Sequence, residues 1–279
     1  MELSKDITLG QYVPRNSVIH KLDPRVKIIL WMVLVTALFF IRTYTGYLVF
    51  FLFLMGVIHL AQIPILYALR GLRPALPFIV ALFIIQLMFS GSLYADSTNV
   101  LFQWSFIRIT TEAVRTYSLT ICRVVLLFFS VTLLTLATSL VGLTDGMESL
   151  MSVGRPIGVP ANELAMVMVI ALRFVPTLVE ELERIMKAQM ARGAEVETGN
   201  FIQRTKQRIP ILIPLLMNTF QRAEELIIAM EARCYRGGKG RTKRKTLRLG
   251  SLDYQAIAVT VLFLAVLFSL SKYVIPPSW

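Results

Sequence analysis

The sequence predicts an all-α integral membrane protein with about five transmembrane helices and a charged cytoplasmic helical region between the fourth and the last of them. Three observations support this prediction. Of the 279 residues, 56% are hydrophobic and 16% are charged, whereas soluble domains are about 45–50% apolar and about 25% charged. The apolar residues form long uncharged blocks. The net charge is +12, and the basic residues lie mostly outside those blocks.

The uncharged blocks predict the transmembrane helices, because about 20 apolar residues in a helix cross the core of a bilayer. The blocks lie at 28–41, 43–69, 74–95, 124–144 and 254–271. The first block is short and reaches across the bilayer only if Val26 and Lys27 are included. The helix of the second block is expected to end near Pro64. The chain is therefore divided into a segment at 1–27, a four-span bundle at 28–141, a charged region at 142–252, and a last span with a short tail at 253–279.

The distribution of basic residues predicts the orientation. Five Lys and Arg precede the first span, and 17 Lys and Arg with 11 Asp and Glu lie at 141–252. Because basic residues favour the cytoplasmic side, we expect a multi-pass protein of the cell membrane with a cytoplasmic N-terminus and an external C-terminus. Two further apolar stretches, at 164–179 and 209–220, are expected not to cross, since crossing would export basic residues. Whether these stretches touch or enter the membrane is left open.

Two parts of the charged region resemble each other. Each begins with an apolar stretch that contains a proline, Pro176 or Pro214, and ends in Ala-Arg. An amphipathic charged helix is expected to run from that proline to the Ala-Arg end. The two ends are Ala191-Arg192-Gly193 and Ala232-Arg233-Cys234. One interpretation is that each arginine stabilises the end of its helix through the helix dipole. The other is that the two ends dock onto two similar partner subunits, because a guanidinium group can bind a carboxylate through two hydrogen bonds.

Asp23-Pro24-Arg25 precedes the first span. An aspartate followed by proline is typical of a helix start, with Asp23 as the N-cap and Pro24 in the first turn. The alternative is that these three residues form a coupling contact with the cytoplasmic region.

The motifs together resemble a known family. The segment S-V-I-H-K-L-D-P-R-V-K at 17–27 is similar to the opening signature of the transmembrane (T) component of energy-coupling factor transporters. The two Ala-Arg ends are similar to the motifs that end the two coupling helices of that family. The resemblance covers the four spans, the coupling region and the last span. Cys234 is the one departure from the pattern, in place of glycine, and it affects the expected capping geometry more than the docking.

The resemblance implies a non-catalytic subunit. It would transmit movements of two cytoplasmic ABC-type ATPases to a membrane-embedded substrate-binding (S) component for a vitamin or another micronutrient. ATP and Mg²⁺ would be bound by the ATPases, and no cofactor by this chain. One alternative is a dedicated subunit of a cobalt or nickel permease. Another is a membrane-embedded enzyme, although the predicted spans contain no Asp or Glu.

Other residues that could carry chemistry have simpler interpretations. Only two histidines are present, His20 and His59, so a metal site built on histidine is not expected. His59 is expected to be buried and hydrogen-bonded, and Arg123 to extend toward the outer end of the fourth span. The seven basic residues at 236–248 are interpreted as a flank attracted to anionic lipid, not as a nucleic-acid site.

Overall fold

The computed structural model describes residue 13 and residues 15–88, 100–104, 107–152, 160–193, 201–237 and 249–274. The chain divides into two compact units. The larger unit is Gly10–Gly146 with Leu247–Trp279, and the smaller unit is Met147–Thr246 with Met1–Leu9. The two units are described separately below.

The described residues are almost entirely helical. In chain order the elements are α1 (Val18–Lys21), α2 (Pro24–Phe40), α3 (Tyr44–Ala61), α4 (Ile65–Leu72), α5 (Leu76–Met88), β1 (Val100–Trp104), β2 (Ile107–Thr110), α6 (Thr111–Ala137), α7 (Leu140–Met151), α8 (Ala161–Ala191), α9 (Phe201–Ala232) and α10 (Ser251–Val274). A short 3₁₀ turn, Arg73–Ala75, joins α4 to α5. This architecture confirms the predicted all-α class.

Among the described residues, five segments are long and apolar enough to cross a membrane. They are Tyr44–Ala61, Ile65–Gln86, Thr111–Ala137, Ala161–Ala191 and Ser251–Leu270. The first predicted span corresponds to α2, which has 17 residues. The second ends at Ala61, just before Pro64, as expected. The segment Ala161–Ala191 contains the apolar stretch at 164–179, so length and composition alone would allow α8 to cross as well.

Two predicted spans are displaced along the chain. The third, expected at 74–95, begins at Ile65 instead, and its described part ends at Gln86. Pro74 does not stop this segment, because the backbone passes through a 3₁₀ turn at Arg73–Ala75 and continues directly as α5. The fourth, expected at 124–144, is Thr111–Ala137. It ends earlier because Thr138 is extended and the Ser139 hydroxyl accepts from the Gly142 N–H, which starts α7.

The segment between α5 and α6 contains an antiparallel pair of strands, β1 and β2, that was not predicted. The uncharged blocks predict only a connecting loop here. Both strands are rich in β-branched and aromatic residues, which favour extended backbone. The apolar blocks on either side are much longer and dominate the pattern.

The core of the larger unit lies around α3. Phe50, Leu54 and Ile58 are at most 2% exposed and follow one another at four-residue spacing, so they share one face of the helix. They pack with Leu126 and Phe129 of α6. The stacked rings of Phe53 and Phe263, with centroids 3.9 Å apart, join α3 to α10. Aromatic packing therefore connects a central span to the last one.

The outer surface of the larger unit is apolar as well. Large side chains such as Leu52, Leu66, Phe78 and Leu262 are 57–68% exposed. A soluble protein rarely exposes large contiguous apolar surfaces. Helices whose outer faces are apolar satisfy their backbone hydrogen bonds internally, as lipid requires. The chain is therefore a multi-pass membrane protein.

The smaller unit is built on two long helices, α8 with 31 residues and α9 with 32. The prediction that each charged helix begins at a proline was wrong. Pro176 lies inside α8, and Pro210 and Pro214 lie inside α9. The apolar stretch and the charged stretch of each repeat are therefore one continuous helix.

Candidate functional site

Glu181 of α8 forms hydrogen bonds with the other long helix of the smaller unit, α9. Its Oε1 accepts a hydrogen bond from Asn218 Nδ2 at 2.9 Å, and its Oε2 accepts from Arg222 Nη2 at 3.2 Å. Asn218 and Arg222 are four residues apart and therefore share one face of α9. Gly237, just past α9, lies beside Glu163 in the first turn of α8. The two helices are thus antiparallel, and Glu181 contacts α9 near the middle of both.

The end of α8 has a regular capping geometry. Ala191 is its last residue, and Arg192 is the C-cap. Gly193 has a left-handed backbone with φ of +83°, and its N–H donates to the Met190 carbonyl at 3.0 Å. A methyl group at position 193 would meet no atom within 4 Å. Glycine is suited to this position because it adopts positive φ without strain.

The end of α9 has the same geometry although cysteine replaces glycine. Cys234 has φ of +54°, and its N–H donates to the Glu231 carbonyl at 2.8 Å. The next N–H, of Tyr235, donates to the Met230 carbonyl at 3.0 Å. This pair of bonds is the Schellman arrangement that closes many helices. The departure from glycine therefore leaves the capping geometry intact.

All six residues of the two Ala-Arg ends are exposed. Within the described part of the chain, neither Arg192 nor Arg233 has a side-chain hydrogen bond or ion pair. Each arginine lies eleven positions after a partner in the central ion pair, Arg192 after Glu181 and Arg233 after Arg222. At about 1.5 Å per residue, each is about 16 Å from that pair. Because the helices are antiparallel, the arginines lie at opposite ends, about 33 Å apart along the helices.

The central ion pair was not predicted. Glu181 and Arg222 were both within the repeated charged stretches, but periodicity assigns residues to helix faces and does not identify partners on another helix. Glu181 and Arg222 each lie eleven residues before a motif arginine, and this equal spacing could have indicated that they are partners. Its meaning depended on knowing that the two helices are antiparallel.

Asp23, Pro24 and Arg25 form the start of α2, as one of the two interpretations predicted. Asp23 is the N-cap, its Oδ1 accepts from the Arg25 N–H at 2.9 Å, and Pro24 occupies the first turn. The Asp23 N–H donates to Asp253 Oδ1 at 2.8 Å, which joins α2 to the start of α10. These described contacts lie within the larger unit. The alternative, a contact with the coupling region, stays a prediction.

His20 lies just before α2 and has specific partners. Its Nε2 lies 3.0 Å from the Val13 carbonyl and its Nδ1 lies 2.7 Å from the Ser17 hydroxyl. The carbonyl can only accept, so Nε2 carries the proton and Nδ1 accepts from Ser17. Burial lowers the pKa of His20 below its ordinary value, chiefly by desolvating the charged ring. This agrees with a neutral imidazole in a structural role.

One further expectation about a single residue was wrong. His59 is exposed, not buried, and lies with Gln62 on the wall of an open pocket at the end of α3. Arg123 contacts the end of α2, and its expected extension toward the outer end of the fourth span stays a prediction. Its Nε donates to the Tyr47 hydroxyl and its Nη2 to the Ile41 carbonyl, both at 3.0 Å. The described residues contain no group of His, Cys, Asp and Glu able to hold a metal ion.

Comparison with known proteins places this arrangement in a family. The family model described as CbiQ, cobalt transport protein, matches residues 15–244. A protein of Thermosediminibacter oceani named energy-coupling factor transporter transmembrane protein EcfT is 46% identical over 97% of this chain and 99% of its own length. Proteins with the same name from Clostridium kluyveri and Listeria innocua are 44% and 39% identical, over 90% and 88% of this chain and 92% and 91% of their own. The chain belongs to the CbiQ family of transport proteins, together with these transmembrane components of energy-coupling factor transporters.

Proposed function

We propose that this chain is the transmembrane (T) component of an ATP-driven energy-coupling factor importer and that it connects two cytoplasmic ATPases to a membrane-embedded S component. The name that the relatives share supports the T-component role. The partner assignment goes beyond that name. The chain itself is a transporter subunit, and we assign ATP hydrolysis to the partner ATPases.

The arrangement of Arg192 and Arg233 is the observation that carries the partner assignment. Two exposed arginines end two antiparallel helices and lie at opposite ends of the pair. A pair of similar subunits can be engaged by one such unit, with one arginine for each subunit. A guanidinium group that enters a groove can form two parallel bonds to a carboxylate. The small neighbours Ala191 and Ala232 leave space for a groove wall to approach.

The substrate is assigned by class only. We propose a vitamin or another micronutrient, selected by the S component and not by this chain. A cobalt or nickel permease subunit is the alternative that the family description suggests. The name that the relatives share, energy-coupling factor transporter transmembrane protein, supports the broader class.

Charge reversal at the two arginines tests the proposal. The chain is co-expressed with its ATPase pair, and the ATPases recovered with it from detergent-solubilised membranes are quantified. Arg192→Glu or Arg233→Glu should each weaken docking strongly, because loss of one partner of a desolvated charge pair costs about 2–5 kcal/mol. The double variant should release the ATPases. Lysine at either position should cause a partial loss, since the charge remains but the two-bond geometry does not.

The control variant is Arg184→Glu. Arg184 is also exposed on α8 but lies within the helix, two turns before its end. It should retain the ATPases, and all variants should reach the membrane in similar amounts. An arginine that only stabilises its helix end contributes about 0.3–1 kcal/mol. Normal ATPase recovery in the double variant would therefore show that the arginines are helix caps and that the docking proposal is wrong.

A further inference from the structure

Three charged side chains lie buried together in the larger unit at the start of α2. Asp23, Lys27 and Asp253 are 7%, 9% and 4% exposed. Lys27 Nζ donates to two carbonyls, of His20 at 3.2 Å and of Ala137 at 3.1 Å. Its charge interacts with the carboxylates of Asp253 and Asp23. Buried charges are costly unless they are paired and hydrogen-bonded. These three side chains, named here the helix-end cluster, meet that requirement only while the helix ends around them stay in place.

The helix-end cluster joins four helix ends. The His20 carbonyl belongs to the end of α1, Asp23 to the start of α2, and Ala137 is the last residue of α6. Asp253 lies in the first turn of α10, where its Oδ1 accepts from the Asp23 N–H at 2.8 Å and its Oδ2 from the Gly250 N–H at 2.7 Å. One lysine and one aspartate thus hold the ends of α6 and α10 to the first turn of α2.

These ends are also where the chain leaves and re-enters the larger unit. The larger unit ends at Gly146 and resumes at Leu247. On the outgoing side, α7 packs against the same first turn. A methyl group at position 146 would lie 3.2 Å from the carbonyl carbon of Pro24, and one at 142 would lie 3.6 Å from Pro24 Cγ. On the returning side, Asp253 makes the contact. Both connections to the smaller unit are therefore held at one place.

We propose that the helix-end cluster is the fixed point against which the smaller unit acts, with Asp23, Lys27 and Asp253 as positioning residues. This inference rests on the proposed function. A movement imposed on α8 and α9 by ATPases transmits force only if both chain connections resist it. If the end of α6 or the start of α10 shifted, local displacement would absorb the movement. A fixed point at both connections makes the smaller unit move as a whole.

The test measures transport and ATP hydrolysis on the same samples. The complex of this chain with its ATPase pair and an S component is reconstituted in proteoliposomes, and uptake per ATP hydrolysed is determined. Asp253→Asn and Lys27→Met should keep ATPase association and hydrolysis, yet lower uptake per ATP about tenfold. The first removes a buried charge and one of its two accepted hydrogen bonds, and the second removes a buried charge and both hydrogen bonds that it donates. The double variant should be no worse than either single variant, since both break one cluster. Glu112→Gln, which changes an exposed acid in the first turn of α6, should have no effect.

The outcomes separate the inference from the function on which it rests. Wild-type complex without ATP-dependent uptake would refute the proposed function. Wild-type uptake with an unchanged ratio in both variants would refute only the fixed point. A parallel loss of assembly, hydrolysis and uptake, with the ratio unchanged, would assign the cluster a folding role and also refute it. If Asp253→Asn does not accumulate, Lys27→Arg and Asp253→Glu are used, and each should lower the ratio by a smaller factor.

Discussion

At the residue scale, Cys234 shows how a helix end tolerates a residue that disfavours its backbone geometry. A left-handed backbone costs an L-residue with a side chain roughly 1–2 kcal/mol. The two hydrogen bonds made by the N–H groups of Cys234 and Tyr235 offset this cost, because they satisfy carbonyls that would otherwise lack partners. The exposed position of Cys234 leaves its side chain free of clashes with packed neighbours.

Glycine at this position should stabilise the end of α9. In Cys234→Gly the strain is relieved, and after allowance for the greater entropy of unfolded glycine the gain should be about 0.5–1 kcal/mol. Amide exchange at residues 234 and 235 should slow about two- to fivefold by mass spectrometry or NMR. Gly193→Ala is the opposite control and should speed exchange at the end of α8, where φ is +83°. Faster exchange in Cys234→Gly would show that the cysteine side chain stabilises the helix end.

Single residues were predictable where the determinant is local. Asp23 as N-cap follows from its position before proline, and Gly193 at the end of α8 follows from the glycine preference there. The left-handed Cys234 was not predictable, because propensity argues against it. The bond between Asp23 and Asp253 joins positions 230 apart, and no local pattern contains it.

At the element scale, α8 and α9 continue through three prolines. A proline removes one backbone N–H, so each leaves the carbonyl four residues earlier without its helical partner. Pro210 and Pro214 are four apart, so the carbonyl that Pro214 leaves unpaired is that of Pro210. Such interruptions are tolerated in long apolar helices, where alternative partners compensate. The prolines therefore do not mark helix starts, because each helix already extends more than two turns before its first proline.

The ion pair between Glu181 and Arg222 should determine how widely the distance between the two arginine ends of the smaller unit varies. Glu181→Ala removes both hydrogen bonds that join the helices at their middle. Because the Arg222 side chain is 38% exposed, the loss in stability should be modest, about 0.5–1 kcal/mol. The distance between the two helices should change more clearly than the stability. Spin labels at Lys187 and Arg236, both exposed, should report a broader distance distribution by pulsed electron paramagnetic resonance.

Glu180→Ala is the matched control for this measurement. Glu180 precedes Glu181 on α8 but is exposed. Its removal should leave the distance distribution as in the wild type. Glu181→Gln should broaden the distribution less than alanine, because its amide oxygen still accepts one bond. Equal distributions in wild type and Glu181→Ala would show that apolar packing alone aligns the two helices.

At the scale of the whole molecule, composition predicted the membrane class because the amount of apolar surface exceeds what one soluble core can bury. The positions of α2, α3 and α10 followed from uncharged blocks with clear ends. The segment Ile65–Gln86 is displaced from its predicted position because Arg70 and Arg73 favour a loop, whereas both lie within helical backbone. The number of crossings is not determined by hydropathy, because α8 satisfies the length criterion while its neighbourhood carries the charge of a cytoplasmic region.

Cysteine labelling can distinguish the topology predicted from basic residues from a topology in which α8 crosses, which hydropathy allows. Positive charge predicts that neither α8 nor α9 crosses, which places Cys234 and position 198 in the cytoplasm and the C-terminus outside. The chain has two cysteines, so Cys122→Ser leaves Cys234 as the only thiol, and it is exposed. In intact cells a membrane-impermeant maleimide should not label Cys234, and after permeabilisation it should.

Two further single-cysteine variants complete the test, each made after both native cysteines are replaced by serine. Thr198→Cys should also be protected in intact cells, and Ser278→Cys should be labelled from outside, which verifies that the reagent reaches external thiols. Labelling of Cys234 in intact cells would mean that only one of α8 and α9 crosses, and labelling at 198 as well would identify it as α8. Protection of Cys234 with labelling at 198 would mean that α8 and α9 cross as a pair. Either result would place one or more arginine ends beyond the reach of cytoplasmic ATPases, because a helix of 31 residues is about 46 Å long and spans the whole bilayer.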